Sequence, residues 1–299
     1  MTTTASGGLS LYDAARVMGV PFTKEVVPTD KEVRVENFKF HYLDWGNESK
    51  PPLVLFHGRT NGAHTWDFTS LACYDDFHVI ALDMPGHGDT DWIPGRDYTP
   101  DFTVPLATAF VNAVGLKQFY LLGHSMGARI AMIYASQNPD NIKCLVMVDM
   151  APETTRGDPV GGGWRALPQE TDSFEEFVQA AHKVNPRRSP EQLRGSLAHQ
   201  LRQFPSGKWS WKWDPALREA DTIGWSKERL WAAAEKVKKP FLIVRGGESG
   251  MVAQHVLDRF AAMNPQFRSV DIAGAGHQVH GDRPAPFIKA VKEFLSTVK

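Results

Sequence analysis

Residues 119–137 read FYLLGHSMGARIAMIYASQ. The apolar run at 119–122 fits a strand buried on both faces. Gly123-His124-Ser125-Met126-Gly127 follows at once, and 126–137 then reads as a helix that stops before Asn138-Pro139. A G-x-S-x-G turn between strand and helix lifts the Ser125 hydroxyl above the edge of a sheet and tolerates only small residues at 123 and 127. The pentapeptide alone arises by chance in a chain this long with a probability on the order of 0.1. Its position after a strand and before a helix carries the weight, and the positive end of that helix points at the same place. The plain alternative is a βα turn whose serine caps the helix.

Working outward, short apolar runs recur at 53–56, 78–82, 144–148, 241–244 and 269–272, with room for a helix between most of them. Alternation of this kind predicts parallel strands joined by helical crossovers. Residues 32–45 read as two half-buried strands with a turn near Asn37, which adds an antiparallel hairpin at one edge. The fold class is therefore α/β, with a mixed but mostly parallel sheet. About 90 residues separate Val148 from Phe241, far more than one crossover needs, and helical patterns fall at 173–183, 190–203 and 227–236. We expect a core of 1–151 and 236–299 carrying a helical cap at 152–235 over the carboxyl ends of the strands.

A serine hydroxyl is a weak nucleophile until a base takes its proton, and that base needs an acceptor to hold one tautomer. Gly274-Ala275-Gly276-His277 follows the last strand-like run, so a Gly-flanked loop brings His277 toward Ser125 and completes the chain order Ser, acid, His. Two places offer the acid. Asp149 ends the strand at 144–148 and emerges at the same sheet edge as Ser125. Glu248, in Arg245-Gly246-Gly247-Glu248-Ser249-Gly250, ends the next strand and is the alternative, with Ser249 as an auxiliary hydrogen-bonding group. The turn His57-Gly58-Arg59-Thr60-Asn61-Gly62 lies beside the nucleophile turn, so the main-chain N–H groups of Arg59 and Met126 are the expected oxyanion donors.

Composition excludes several classes. Of 299 residues, 42% are hydrophobic and 22% charged, as in a globular protein, and 33 Lys plus Arg against 34 Asp plus Glu leave a net charge of −1. No global field is available to hold a nucleic acid, and Arg187-Arg188 reads as a solvated helix entry. No apolar run approaches the roughly 18 residues of a membrane helix. The first ten residues lack a signal-peptide pattern, and Cys73 and Cys144 read as free thiols, so a cytoplasmic protein is expected. There is no P-loop and no H-E-x-x-H, and the glycines at 86 and 88 lack the third member of a dinucleotide fingerprint, so neither cofactor nor metal is expected. Trp209, Trp211 and Trp213 alternate on one face of an extended segment and, with Trp164, either line a substrate pocket or anchor the cap.

The segments 53–58, 83–88, 123–127, 148–152 and 274–277 together resemble the α/β-hydrolase superfamily over nearly the whole chain. The resemblance implies an eight-stranded, mostly parallel sheet with a cap, and cofactor-free hydrolysis through an acyl-serine. Ser125 would be the nucleophile, His277 the base, and Arg59 and Met126 the oxyanion donors. Most members place the acid after the seventh strand, where this chain has Gly247-Glu248-Ser249-Gly250; a minority use the end of the sixth, which is Asp149. The expected partner is a small or medium apolar ester or lactone. Carbon–carbon bond hydrolysis and perhydrolysis are the alternatives on the same triad, and a ligand receptor with little turnover is a third reading.

Overall fold

The computed structural model describes residues 8–155, 163–218 and 224–298. In chain order the first half comprises α1 (Leu11–Val17), β1 (Thr29–Val35), β2 (Phe38–Asp44), β3 (Pro52–Phe56), α2 (Asp67–Cys73), β4 (His78–Leu82), α3 (Pro100–Ala113), β5 (Phe119–His124), α4 (Met126–Gln137) and β6 (Ile142–Val148). A second group follows: β7 (Glu170–Thr171), α5 (Phe174–Val184), α6 (Pro190–Gln200), β8 (Leu201–Gln203), β9 (Trp209–Trp211) and α7 (Lys227–Ala234). The chain then returns through β10 (Phe241–Gly246), α8 (Gln254–Met263), β11 (Phe267–Ile272), α9 (Val279–Asp282) and α10 (Pro284–Leu295).

Eight strands form one sheet in the order β1-β2-β4-β3-β5-β6-β10-β11. The β1–β2 and β2–β4 pairs are antiparallel and the others parallel. All six residues of β5 are buried, and residues of its neighbours divide by alternation into two apolar clusters, one on each face. Helices cover both faces, which is why the strands read as unbroken apolar runs rather than alternating ones. The order also explains the site: β3, β5, β6 and β10 are consecutive, so the segments leaving their carboxyl ends meet along one edge.

The interval between β6 and β10 is less uniform than a helical cap. Helices α5 and α6 share a third apolar cluster with Trp211, Trp213 and Leu217, and β7, β9 and β8 form a separate three-stranded antiparallel sheet. The alternating tryptophans account for the sheet: Trp209 and Trp211 both face α5, packing on Phe174 and Phe177 at ring-centroid distances of 5.3 and 4.9 Å. Helix α7, by contrast, contributes Leu230 and Trp231 to the core cluster that contains α4. By packing it joins the core layer, although sequence places it within 152–235. Among the described residues, no helix is long and apolar enough to cross a membrane.

Candidate active site

Backbone geometry first sets the serine. Ser125 takes φ 52° and ψ −118°, a conformation that costs a non-glycine residue about 1–3 kcal/mol and persists only when its surroundings enforce it. Here the enforcement is contact. A Cβ on Gly127 would lie 2.4 Å from the His57 carbonyl oxygen and 2.5 Å from that of Phe56, and one on Gly123 would lie 2.6 Å from the Gly127 carbonyl oxygen. The two glycines thus let α4 start directly against β3 and β5. The Ser125 N–H donates to Val148 O at 3.2 Å, and the Asp149 N–H donates to Val244 O at 2.8 Å, so main-chain bonds tie both residues to neighbouring strand ends.

His277 links the two side chains. Its Nδ1 lies 2.8 Å from Asp149 Oδ2 and its Nε2 lies 2.9 Å from Ser125 Oγ. A carboxylate can only accept, so Nδ1 carries the proton, and Nε2 accepts from the serine hydroxyl. Asp149 is fully buried and well satisfied: Oδ1 accepts from the Gly246 N–H at 2.9 Å, and the Ser249 hydroxyl donates to Oδ2. The imidazole is held from both sides of its loop. His124 Nε2–H donates to His277 O at 2.9 Å, and Asp282 Oδ2 accepts the Gly276 N–H at 3.0 Å.

Sequence left Asp149 and Glu248 as candidate acids, and the geometry separates them. The Glu248 side chain is 55% exposed and pairs with Arg187 Nε at 3.0 Å, away from His277. Ser249, fully buried, takes the auxiliary position. Gly247 and Glu248 form the exposed tip of the turn, between the buried Gly246 and Ser249.

The turn after β3 abuts the serine, since a Cβ on Gly58 would lie 3.0 Å from Ser125 Cβ and 2.6 Å from His124 Nδ1. Two buried histidines brace it. His57 Nε2 accepts from the Met84 N–H at 2.9 Å, leaving Nδ1–H to donate to Gly58 O at 2.7 Å. His87 Nε2 accepts from the Thr60 N–H at 3.2 Å, and burial together with the His57 field pushes its imidazole down to about 3, so it stays neutral. Met126, at the first position of α4, donates its N–H to no acceptor among the described residues. The turn that carries Arg59 thus lies against Ser125 through Gly58, and Met126 follows Ser125 directly. Burial and the Arg165 charge lower the Arg59 guanidinium to about 10; burial and Arg59 do the same to Arg129, whose Nε donates to Ala151 O at 3.4 Å.

Packing separates the two readings of the tryptophans. Trp211 and Trp213 are 4% and 3% exposed and stack on each other at 5.8 Å, while Trp211 Nε1–H donates to Pro168 O at 2.7 Å, so they fill the core of the cap rather than a pocket. Trp209 borders a side cavity that Ser125, Asp149 and His277 do not line. The side chain of Trp164 lies outside the described residues. Among the described residues, two groups bring metal-type ligand atoms within 4.8 Å of one another, His64 with Asp67 and His199, and His41 with Asp83 and Asp89. Neither includes the triad, and in each an acid is already engaged: Asp67 by His64 at 3.0 Å, and Asp83 by His41 at 2.7 Å and the Ala63 N–H at 2.6 Å.

Sequence reasoning missed the supports: His124, His87, Asp83 and Asp282. The signal for His124 was its place inside the pentapeptide, and for Asp282 its place five residues after His277; neither reveals a hydrogen-bond partner.

Comparison with known proteins agrees with this frame. A family model described as the alpha/beta hydrolase fold matches residues 51–284. The chain is 28% identical to the esterase Rv0045c of Mycobacterium tuberculosis over 278 residues, covering 90% of this chain and 91% of that one. It is 27% identical to the N-formylmaleamate deformylase of Pseudomonas putida, covering 88% and 95%. The crystal structure of the mycobacterial esterase superposes with a TM-score of 0.78 at 26% identity, covering 99% of each chain. With the family model spanning most of its length and the sheet, nucleophile turn and histidine loop in their expected places, the chain belongs to the α/β-hydrolase fold family.

Proposed function

We propose that the protein is a serine hydrolase that cleaves small or medium carboxylic esters or lactones through an acyl-serine. The observation that carries the reading is the continuous relay from Ser125 Oγ to His277 Nε2 at 2.9 Å and from His277 Nδ1 to Asp149 Oδ2 at 2.8 Å. Ser125 Oγ attacks the ester carbonyl carbon while His277 Nε2 takes the hydroxyl proton. The carbonyl oxygen becomes an oxyanion facing the N–H groups of Met126 and Arg59. Collapse breaks the bond to the alkoxy group, which leaves as the alcohol with the proton from His277. Water then repeats the sequence on the acyl-serine, releasing the acid and restoring the hydroxyl. Asp149 holds the tautomer and stabilises the imidazolium without itself taking the proton.

Relatives support hydrolysis of acyl bonds: one is named an esterase and another a deformylase. Two buried free thiols, Cys73 and Cys144, suit the cytoplasm. The test is nitrophenolate release from nitrophenyl esters of increasing acyl length, with Ser125→Ala protein as the blank and a lactone and a formamide alongside. Release well above the blank on the esters supports the reading, and the best chain length sizes the pocket. Turnover confined to the formamide, or none above the blank, overturns it.

A further inference from the structure

Residues 187 and 188 read from sequence as solvated positive charge, and for Arg188 the structure differs. Arg187 pairs with Glu248, whereas Arg188 is only partly exposed and its Nε is buried without a hydrogen-bond partner among the described residues. Asp282 lends it a favourable field, but both carboxylate oxygens are engaged elsewhere: Oδ1 by Asn185 Nδ2 at 2.8 Å and Oδ2 by the Gly276 N–H at 3.0 Å. A partly buried guanidinium with an orphaned Nε is destabilising, and an anion brought to it gains a charge-assisted hydrogen bond.

Arg188 borders a cavity of about 570 Å³ between α1 and α2 on one side and the cap helices on the other. That volume falls within the range of small-molecule sites, roughly 300–1,000 Å³. Leu9, Leu11, Met18, Phe68, Phe174 and Trp209 supply its apolar walls. Its other charged groups already have partners: Asp67 is 3.0 Å from His64 Nδ1, His64 stacks on His199 at 3.6 Å, and Glu191 lies 3.6 Å from Arg194. None of the triad lines it. One unsatisfied cation against an apolar cavity matches an amphiphile with a single anionic head.

We propose that this cavity is a second binding site, distinct from the serine, for a medium-chain alkanoate whose carboxylate meets Arg188 and whose tail lies against the leucine, methionine and aromatic walls. The ligand bridges core to cap. It also lies one step from the base: Arg188 acts on Asp282, and Asp282 holds the residue before His277. Binding requires no turnover, so it stands or falls separately from the esterase reading.

The experiment is calorimetric titration of the full chain with hexanoate, octanoate and decanoate, and with 1-octanol as the neutral analogue. Affinity should rise about fourfold per methylene until the cavity is full, and octanol should bind at least tenfold more weakly than octanoate. Arg188→Met should lose octanoate at least tenfold and leave octanol unchanged, with a thermal midpoint equal to or above wild type because the unpartnered charge is gone. Arg188→Lys should keep part of the octanoate affinity, and Ala198→Phe, which fills the cavity, should remove both ligands. Protein sulfonylated at Ser125 should bind octanoate as before. Octanoate affinity that survives Arg188→Met or Ala198→Phe, or that vanishes when Ser125 is blocked, overturns the proposal, as does the absence of binding by all three alkanoates. A collapse of the midpoint in Arg188→Met that Arg188→Lys restores, with no octanoate binding to wild type, makes the arginine a structural partner of Asp282 instead.

Discussion

Replacing Asp149 by asparagine changes one atom, and the surroundings dictate where that atom goes. The Gly246 N–H donates to Oδ1 at 2.9 Å, so the amide oxygen must take this position and the amide nitrogen falls at Oδ2. There it faces His277 Nδ1 at 2.8 Å and presents hydrogens instead of lone pairs. His277 must then accept at Nδ1 and carry its proton on Nε2, which turns the Ser125 contact around: the imidazole donates to Oγ and can no longer receive its proton. Loss of the correct tautomer in a serine triad costs about 10⁴ in kcat, or about 5 kcal/mol of barrier at 1.36 kcal/mol per decade. The buried chain around residue 149 keeps its shape, so stability should change little. The assay is kcat/KM on the best nitrophenyl ester for Asp149→Asn and for Glu248→Gln, whose side chain is 55% exposed and paired with Arg187. We expect a loss of about 10⁴ for the first and less than threefold for the second. A loss under about thirtyfold for Asp149→Asn in folded protein, or a severe one for Glu248→Gln, would refute the assignment of the acid.

Three further outcomes are expected. Ser125→Ala should remove about 10⁴ or more of kcat without lowering the thermal midpoint, since it deletes only the hydroxyl; burst amplitude and residual rate check it, and a residual rate above 1% sinks the acyl-serine. Gly127→Ala puts a Cβ 2.5 Å from the Phe56 carbonyl oxygen at the end of β3, so urea unfolding should show a loss of about 1–3 kcal/mol together with impaired turnover; wild-type behaviour in both would mean α4 can shift freely. Burial alone would raise the Asp83 carboxyl, but the His41 hydrogen bond, the His57 and His41 fields and the Ala63 N–H bring it down to about 2 from an ordinary 3.8. Its folded value is depressed, so its contribution of about 2 kcal/mol is present above pH 4 and lost as pH falls through 2. The stability gap between wild type and Asp83→Asn should close over that window, and a gap independent of pH refutes it.

The parts of the site legible in sequence are those fixed by local chain geometry. Ser125 stood out because a strand, a two-glycine turn and a helix are contiguous; His277 because a Gly-flanked loop follows a strand; Asp149 because a strand end sits next to the nucleophile's strand. Parallel order and edge hairpin followed from run lengths and spacing. What escaped depends on pieces far apart in the chain. Trp211 and Trp213 look identical in sequence to pocket residues, and only their packing on α5 and on each other makes them core. Arg188 looks solvated because nothing in residues 186–190 records that the loop at Gly281 and Asp282 lies beside it. Polar supports such as His124 and Asp282 act through main-chain atoms of another loop, and side-chain identity alone cannot reveal which carbonyl or N–H they meet.

The acid's position can be argued one step further. In this sheet β6 and β10 are neighbours, and the turns after both reach the same imidazole nitrogen: Asp149 from one, Ser249 through its hydrogen bond to Asp149 Oδ2 from the other. Either strand end is therefore a geometrically sound origin for a carboxylate, and Ser249 occupies the place from which the more usual acid would come. If only the location of the negative charge matters, moving it one strand over should restore function. In the double variant Asp149→Asn/Ser249→Asp the new carboxylate lies beside the amide at 149, accepts its hydrogens, and offers its second oxygen to His277 Nδ1. We expect at least a tenfold recovery of kcat/KM over Asp149→Asn alone, with Ser249→Asp alone slower than wild type because two carboxylates then crowd one buried site. Folded double variant with no recovery would mean that the strained turn at 149, where φ is 48°, aims the acid in a way the neighbouring strand cannot copy, and that the exchange of strand ends needs backbone change as well as a moved charge.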